Sequence, residues 1–147
     1  MDWLDRFLYK DIPAGSIVGF HRYPNGRDTQ KPHNGFQSRS HEWNRLQALA
    51  GGHKLFLTET GLSQGPHRIK RPFPLCWLNE NHWISQEEQA AAMALEWAIW
   101  EPRGVLGMTW YQHRDGNYYQ DLLNNYGIYA ADGNEKAIVE TFKNILL

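Results

Sequence analysis

The sequence predicts an α/β chain in which a small parallel sheet is covered by helices. Three observations predict it. Three short, nearly continuous apolar runs occur: SIVGFHRY (Ser16 to Tyr23), KLFLTET (Lys54 to Thr60) and GVLGMTWY (Gly104 to Tyr111). Each is separated from the next by a helical pattern. Strands buried on both faces read as unbroken apolar runs, and parallel neighbours need a helical crossover between them.

The elements follow in chain order. Asp2 to Lys10 reads as a short amphipathic helix with Trp3, Phe7 and Leu8 on one side, and Ile12 to Gly15 as a turn carrying Pro13 and Gly15. Ser16 to Tyr23 is the first strand. Pro24 to Gln37 is rich in Pro, Gly and Asn, and so reads as a loop. Ser38 to Ala50 is helical, with Trp43, Leu46 and Ala50 on one face and a stop at Gly51-Gly52. Lys54 to Thr60 is the second strand. Gly61 to Ile84 then reads as a long loop carrying Trp77 and Trp83; loops of this length are commonly functional. Ser85 with Glu88 three residues on has the capping-box pattern, and an apolar stripe of Ala91, Leu95, Ala98 and Ile99 follows before Pro102 ends the helix. Trp97 and Trp100 on that helix read as core. Gly104 to Tyr111 is the third strand, Gln112 to Gly133 a long connection, and Asn134 to Leu147 a last helix with Asn134 as N-cap and Ile138, Phe142 and Ile145 on one face.

Composition narrows the function classes. The chain has 147 residues, 41% apolar and 21% charged, in the ordinary range for a globular domain with a real core. Lys+Arg 15 against Asp+Glu 16 leaves a net charge of -1, which argues against a nucleic-acid partner. The HRIKR run, His67 to Arg71, is explained as well by a solvated loop. A lone cysteine, Cys76, excludes an intrachain disulfide and leaves the redox compartment open. No run has signal-peptide or membrane-span character, so the expectation is a soluble chain with no membrane partner and an unassigned location. Seven histidines raise the question of a metal, but they are scattered, with no HxH or HExxH pairing, and no metal or cofactor is expected. Seven tryptophans are several times the usual share, and those in expected loops, such as Trp77 and Trp83, offer an indole face that can pack on a sugar ring.

In parallel α/β folds the chemistry gathers at the C-terminal ends of the strands. Here the first strand ends in His21-Arg22-Tyr23, the second in Glu59 and the third in Trp110-Tyr111. A lone strand-end Glu is more often a structural ion-pair partner. Flanked by His, Tyr and Trp, it also suits glycosidic chemistry, in which an oriented, ionised carboxylate attacks a sugar and a second carboxyl about 5–5.5 Å away protonates the leaving group.

Five pieces in order, GFHRYP (Gly19 to Pro24), LFLTETG (Leu55 to Gly61), SQEEQAAA (Ser85 to Ala92), GVLGMTWYQHRDG (Gly104 to Gly116) and YGIYAADGNEKAI (Tyr126 to Ile138), together resemble the last three βα units of clan A glycoside hydrolases, the superfamily of cellulases, mannanases and related β-glycosidases. The resemblance implies that residues 1–147 are one partial (β/α)8 barrel, a TIM barrel holding strands six to eight with the N-terminal half absent. It implies retaining hydrolysis of O-glycosidic bonds in a β-linked oligo- or polysaccharide. Glu59 would be the nucleophile, with Tyr23 donating to it and His21 beside it. Trp110 would floor the adjoining sugar subsite, Tyr111, His113 and Asp115 would contact substrate, and Trp77 and Trp83 would line a further subsite.

The departure from the family is also plain. A complete barrel needs about 250 residues. The family's acid/base Glu, at the end of the fourth strand, has no counterpart here, and the Asn79-Glu80 pair falls after Glu59 rather than before it. Three parallel strands cannot close, so Ile17, Val18, Leu55, Leu57, Val105 and Met108 are expected to lack partners on their inner faces, and the open edges invite the missing half or a second copy. The alternative reading is a carbohydrate-binding or inactive barrel fragment without the acid/base residue.

Overall fold

The structure, a computed structural model, describes residues 13–24, 44–69, 80–116 and 125–146. The expected first helix, most of the loop after Pro24, the start of the helix before Ala50, and Cys76, Trp77 and Asn79 lie outside the described residues.

Three strands form one parallel sheet in the order β1-β2-β5: β1 (Ile17–His21), β2 (Lys54–Thr60) and β5 (Met108–Trp110). Residues 44–50 are helical (α1) and lead into β2 through Gly51-Gly52. A second helix, α2 (Gln86–Trp100), lies between β2 and β5 in the chain, and α3 (Ala137–Leu146) follows β5 and packs on α2. The third strand is shorter than the apolar run suggests, because residues 105–107 have no strand geometry.

The expected long loop after Glu59 contains a structured hairpin. Gly65–Ile69 (β3) pairs antiparallel with Glu80–Ile84 (β4), and Glu80 is thereby the first residue of a strand. The sequence GPHRI hides this strand because Pro66, His67 and Arg68 are not strand-like in hydrophobicity. The hairpin is tied to α2. The side chain of Ser85 accepts from the backbone N–H of Glu88 at 3.2 Å, while the Glu88 carboxylate accepts from Ser85 N at 2.9 Å and meets His82 Nε2 at 2.6 Å. The capping box thus satisfies helix-end donors and clamps the end of β4 at once. The Ser85 hydroxyl also donates to Glu87 at 2.7 Å, which holds that carboxyl below its ordinary value. Replacing Ser85 by Ala should cost about 1 kcal/mol, read as a lower midpoint in urea with unchanged slope.

The face that α2 buries differs from the predicted stripe. Gln89, Ala90, Ala92, Met93, Glu96, Ile99 and Trp100 are buried, whereas Ala91 and Ala98 are exposed. Alanine carries little hydrophobic signal, and the buried face contains two polar residues that hydrogen bonds make tolerable. Glu96, wholly buried, accepts from Trp100 Nε1 at 2.7 Å. Gln89, also wholly buried, donates to the carbonyls of Leu62 at 2.8 Å and Asn125 at 3.3 Å.

Two apolar clusters meet at α2. Ile99 and Trp100 pack with Ala50, Leu55, Leu57 and Val105, and Phe20 sets its ring edge-on to Trp100 at 5.3 Å. Met93 and Ala92 pack with Leu62, Ile84, Trp110 and Ile138. Each fully buried large side chain contributes about 1.5–3 kcal/mol relative to exposure. The expectation that Leu55, Leu57 and Val105 lack partners is therefore corrected, since they face the helices and are buried. Val18 and Met108 are partly covered, and Ile17, 57% exposed, stays open among the described residues.

The last helix begins three residues later than predicted. Asn134 does not cap it; its backbone and side-chain nitrogens donate to Asp132 within a turn instead. Among the described residues, no helix is long and apolar enough to cross a membrane.

Candidate active site at the strand ends

Because β1, β2 and β5 run parallel, their C-terminal ends lie at one edge. A local irregularity aims the carboxylate there. Phe20 pairs with Leu57 but His21 pairs with Glu59, so Thr58 is an extra residue on β2. Such a bulge switches the alternation of faces. Thr60 takes the buried position that follows Leu55 and Leu57, and Glu59, with 32% of its side chain exposed, is turned to the open side. The backbone continues the pairing beyond the strands, with Arg22 N donating to Glu59 O at 3.0 Å and Tyr111 N to Thr60 O at 2.6 Å.

The Glu59 carboxylate is held at both oxygens. The Tyr23 hydroxyl donates to Oε1, and His21 Nδ1 lies 3.4 Å from Oε2. The His21 side chain is 61% exposed, which leaves this edge open to solvent. Two contacts on two oxygens fix the plane of the carboxylate, which a nucleophile needs.

The third strand end contributes aromatic residues. Trp110 is only 9% exposed and donates from Nε1 to Tyr126 O at 3.2 Å, so most of its indole lies in the core. Tyr111 is 38% exposed and meets the ring of Tyr126 edge-on. The peptide between Tyr111 and Gln112 is cis. His113 is exposed and tilts against Tyr129 with ring centres 5.0 Å apart. Trp83 stands 69% exposed on β4, opposite the exposed Pro66.

Asp115 faces inward. Its carboxylate accepts from Gly127 N at 2.6 Å and from Lys136 Nζ at 3.0 and 3.2 Å. The two side chains are 10% and 1% exposed, so Asp115 pins the segment around residue 127 to the loop after β5. Burial pulls the Lys136 ammonium below the usual lysine range, and the Asp115 carboxylate opposes that shift.

Sequence reasoning missed this latch, and it missed Tyr126. The ring of Tyr126 lies edge-on to Tyr23 (5.8 Å, 83°) and to Tyr111 (5.6 Å, 66°). It also crowds Gly61, where a Cβ would stand 2.9 Å from Tyr126 Cδ1 and overlap the Tyr111 carbonyl oxygen. Gly127 is equally constrained, since a Cβ there would run into the backbone of Arg114 and Asp115. The tight YGIY run around Gly127 was the one available signal.

A cleft of about 260 Å³ lined by Gln47, His53, Lys54, Arg103 and neighbours lies at the opposite end of β2, about 16 Å from Glu59 at the usual rise per strand residue. Among the described residues, no group of three or more His, Cys, Asp or Glu side chains is placed to hold a metal ion.

Compared by structure, the chain matches segments of solved glycosidases. A β-glucuronidase from Ruminococcus gnavus superposes with a TM-score of 0.62 at 16% identity, over 88% of this chain and 22% of that one. One from Bifidobacterium dentium gives 0.62 at 18% identity over 87% and 20%. One from Faecalibacterium prausnitzii gives 0.64 at 14% identity over 88% and 21%. The chain thus spans about a fifth of the length of the structures it matches, and at these identities the likeness concerns the fold. By sequence, no protein family and no curated protein matches. The fold is a small mixed α/β unit with a parallel sheet, shared with a segment of glycoside hydrolase chains.

Proposed function

We propose that this chain is the C-terminal portion of a (β/α)8 glycoside hydrolase and that it carries the nucleophile for retaining hydrolysis of a β-linked carbohydrate. The observation that carries the reading is the setting of Glu59: it stands at the C-terminal end of the central strand, with the Tyr23 hydroxyl on one oxygen and His21 at the other. The fold shared with β-glucuronidase segments supports it.

In this reading Glu59 attacks the anomeric carbon, the bond to the leaving-group oxygen breaks, and a glycosyl ester forms on the carboxylate. Water then cleaves the ester and restores Glu59. Tyr23 and His21 orient the carboxylate. Tyr111, His113 and the accessible edge of Trp110 contact the sugar at the third strand end, Trp83 offers apolar surface from the hairpin after β2, and Trp77 is assigned to the same subsite on the family resemblance alone. Asp115 supports this rim through Lys136. The acid that protonates an ordinary leaving group comes from outside these residues, in a longer chain or a partner.

The test uses substrates that bypass that acid. Dinitrophenolate leaves with little proton assistance, so a panel of dinitrophenyl β-glycosides, glucuronide included, reports on the nucleophile alone. Release by the full chain that disappears in Glu59→Gln supports the proposal. A folded chain that binds oligosaccharide without any release would make it a carbohydrate-binding or inactive barrel fragment.

A further inference from the structure

We propose that Tyr126 is the positioning residue of the Glu59 site, its ring setting the ends of all three parallel strands relative to one another. The inference rests on reading Glu59 as the nucleophile. Three neighbours carry it: Tyr23 follows β1, Gly61 follows β2 and Tyr111 follows β5, and each lies against the Tyr126 ring. Tyr23 is the donor to Glu59 but lies beyond the last strand residue, His21, where no sheet pairing fixes its side chain. An edge-on ring contact supplies the missing constraint, because the partner ring prefers a definite orientation.

A ring can position its neighbours only if it is held itself, and this one is. The carbonyl of Tyr126 accepts from Trp110 Nε1 at 3.2 Å and Gln112 N at 3.3 Å. On one side, Asn125 O accepts from Gln64 N at 3.0 Å and from the buried Gln89 amide. On the other, Gly127 N donates to Asp115, which Lys136 holds, and Ile128 N and Tyr129 N donate to Gln112 O and His113 O at 3.0 Å. Residues 125–129 are therefore stitched to the connections after both β2 and β5. The Tyr126 ring extends that stitching to Tyr23, and through Tyr23 to the Glu59 carboxylate. The contacts are made by the ring, so phenylalanine should serve and an aliphatic side chain should not.

The test compares the full chain with Tyr126→Phe, Tyr126→Leu, Tyr23→Phe and the double variant of the last two, on the dinitrophenyl glycoside that the wild type cleaves best. Tyr126→Leu should lower kcat about 10- to 100-fold with KM little changed, the scale of a slightly misplaced reacting group. Tyr126→Phe should stay within about twofold, and Tyr23→Phe should add little on the Leu background, since coupled residues are not additive. Independent losses, or a wild-type kcat in Tyr126→Leu, would overturn the inference. Should the Leu variant fail to fold, Tyr126→Met takes its place.

A second readout does not need turnover. In protein labelled with ¹³Cζ-tyrosine, the Tyr23 resonance, assigned by its loss in Tyr23→Phe, should move in Glu59→Gln. It should move comparably in Tyr126→Leu and stay in place in Tyr126→Phe. A Tyr23 resonance indifferent to Tyr126→Leu overturns the positioning role whether or not the chain hydrolyses anything. The expected resonance changes in a chain without Glu59-dependent hydrolysis would instead overturn the enzymatic reading and support the positioning.

Discussion

Glu59→Gln should reduce dinitrophenolate release by about a thousandfold or more, the scale expected when a covalent nucleophile is removed. Glutamine keeps the shape of the side chain, and its amide oxygen can still accept from Tyr23, so the bulge, the strand ends and the fold should survive the change. What is lost is the negative charge that, on the proposed reading, makes this side chain a nucleophile toward the anomeric carbon. A truncation sharpens the assignment. In Glu59→Ala the vacated space should admit a small anion, and added azide should restore release from the dinitrophenyl β-glycoside. Azide attacks from the face opposite the leaving group, so the product should be the α-glycosyl azide. A β-configured azide, or residual release in Glu59→Gln close to wild type, would mean that another group performs the attack.

The strand-end carboxylate was legible because parallel α/β folds gather their chemistry at one edge, and three apolar runs marked where that edge lies. Lys54–Thr60 was read with its full extent, and the start of α2 was recognised from Ser85 and Glu88. The misses have separate physical causes. The hairpin escaped because β3 contains Pro66, His67 and Arg68; its antiparallel pairing with β4 leaves no mark in the sequence, and its buried apolar anchor, Ile84, stands at the far end of β4. The buried face of α2 escaped because hydrogen bonds from the Trp100 indole to Glu96, and from Gln89 to two carbonyls, make polar side chains acceptable there. Asn134 resembled a cap, but Asp132 captures its donors two residues earlier. The bulge at Thr58 is a register event between two strands and leaves no mark in either. Tyr126 stayed hidden for the same kind of reason. Its neighbours Tyr23 and Gly61 are far away in the chain, and its polar contacts are made by its own backbone carbonyl.

Lys136→Met is expected to be strongly destabilising, by about 3–5 kcal/mol, because it leaves a carboxylate in a confined site without the Nζ donor that reaches both of its oxygens. Asp115 would retain the Gly127 amide but lose two contacts to the ammonium, and the loop after β5 would lose its anchor to residues 127–136. For a chain of this size the melting temperature should fall by about 10 °C. The double variant Asp115→Leu/Lys136→Met should recover much of the loss, since an apolar pair of similar volume removes the stranded charge. A double variant no better than the single one would show that the hydrogen bond to Gly127, rather than the ion pair, holds the loop. The pH dependence adds a sign that a simple salt-bridge picture would miss. Burial lowers the Lys136 value below its ordinary 10.5 more than Asp115 raises it. The folded chain therefore releases this proton at lower pH than the unfolded chain does. Between those two values the unfolded state binds more protons, so the Lys136 contribution to stability increases as pH rises through that alkaline window. The stability gap between wild type and Lys136→Met, measured in urea, should accordingly widen toward pH 10.5. A gap that narrows would mean that attraction to Asp115 outweighs the burial of the ammonium.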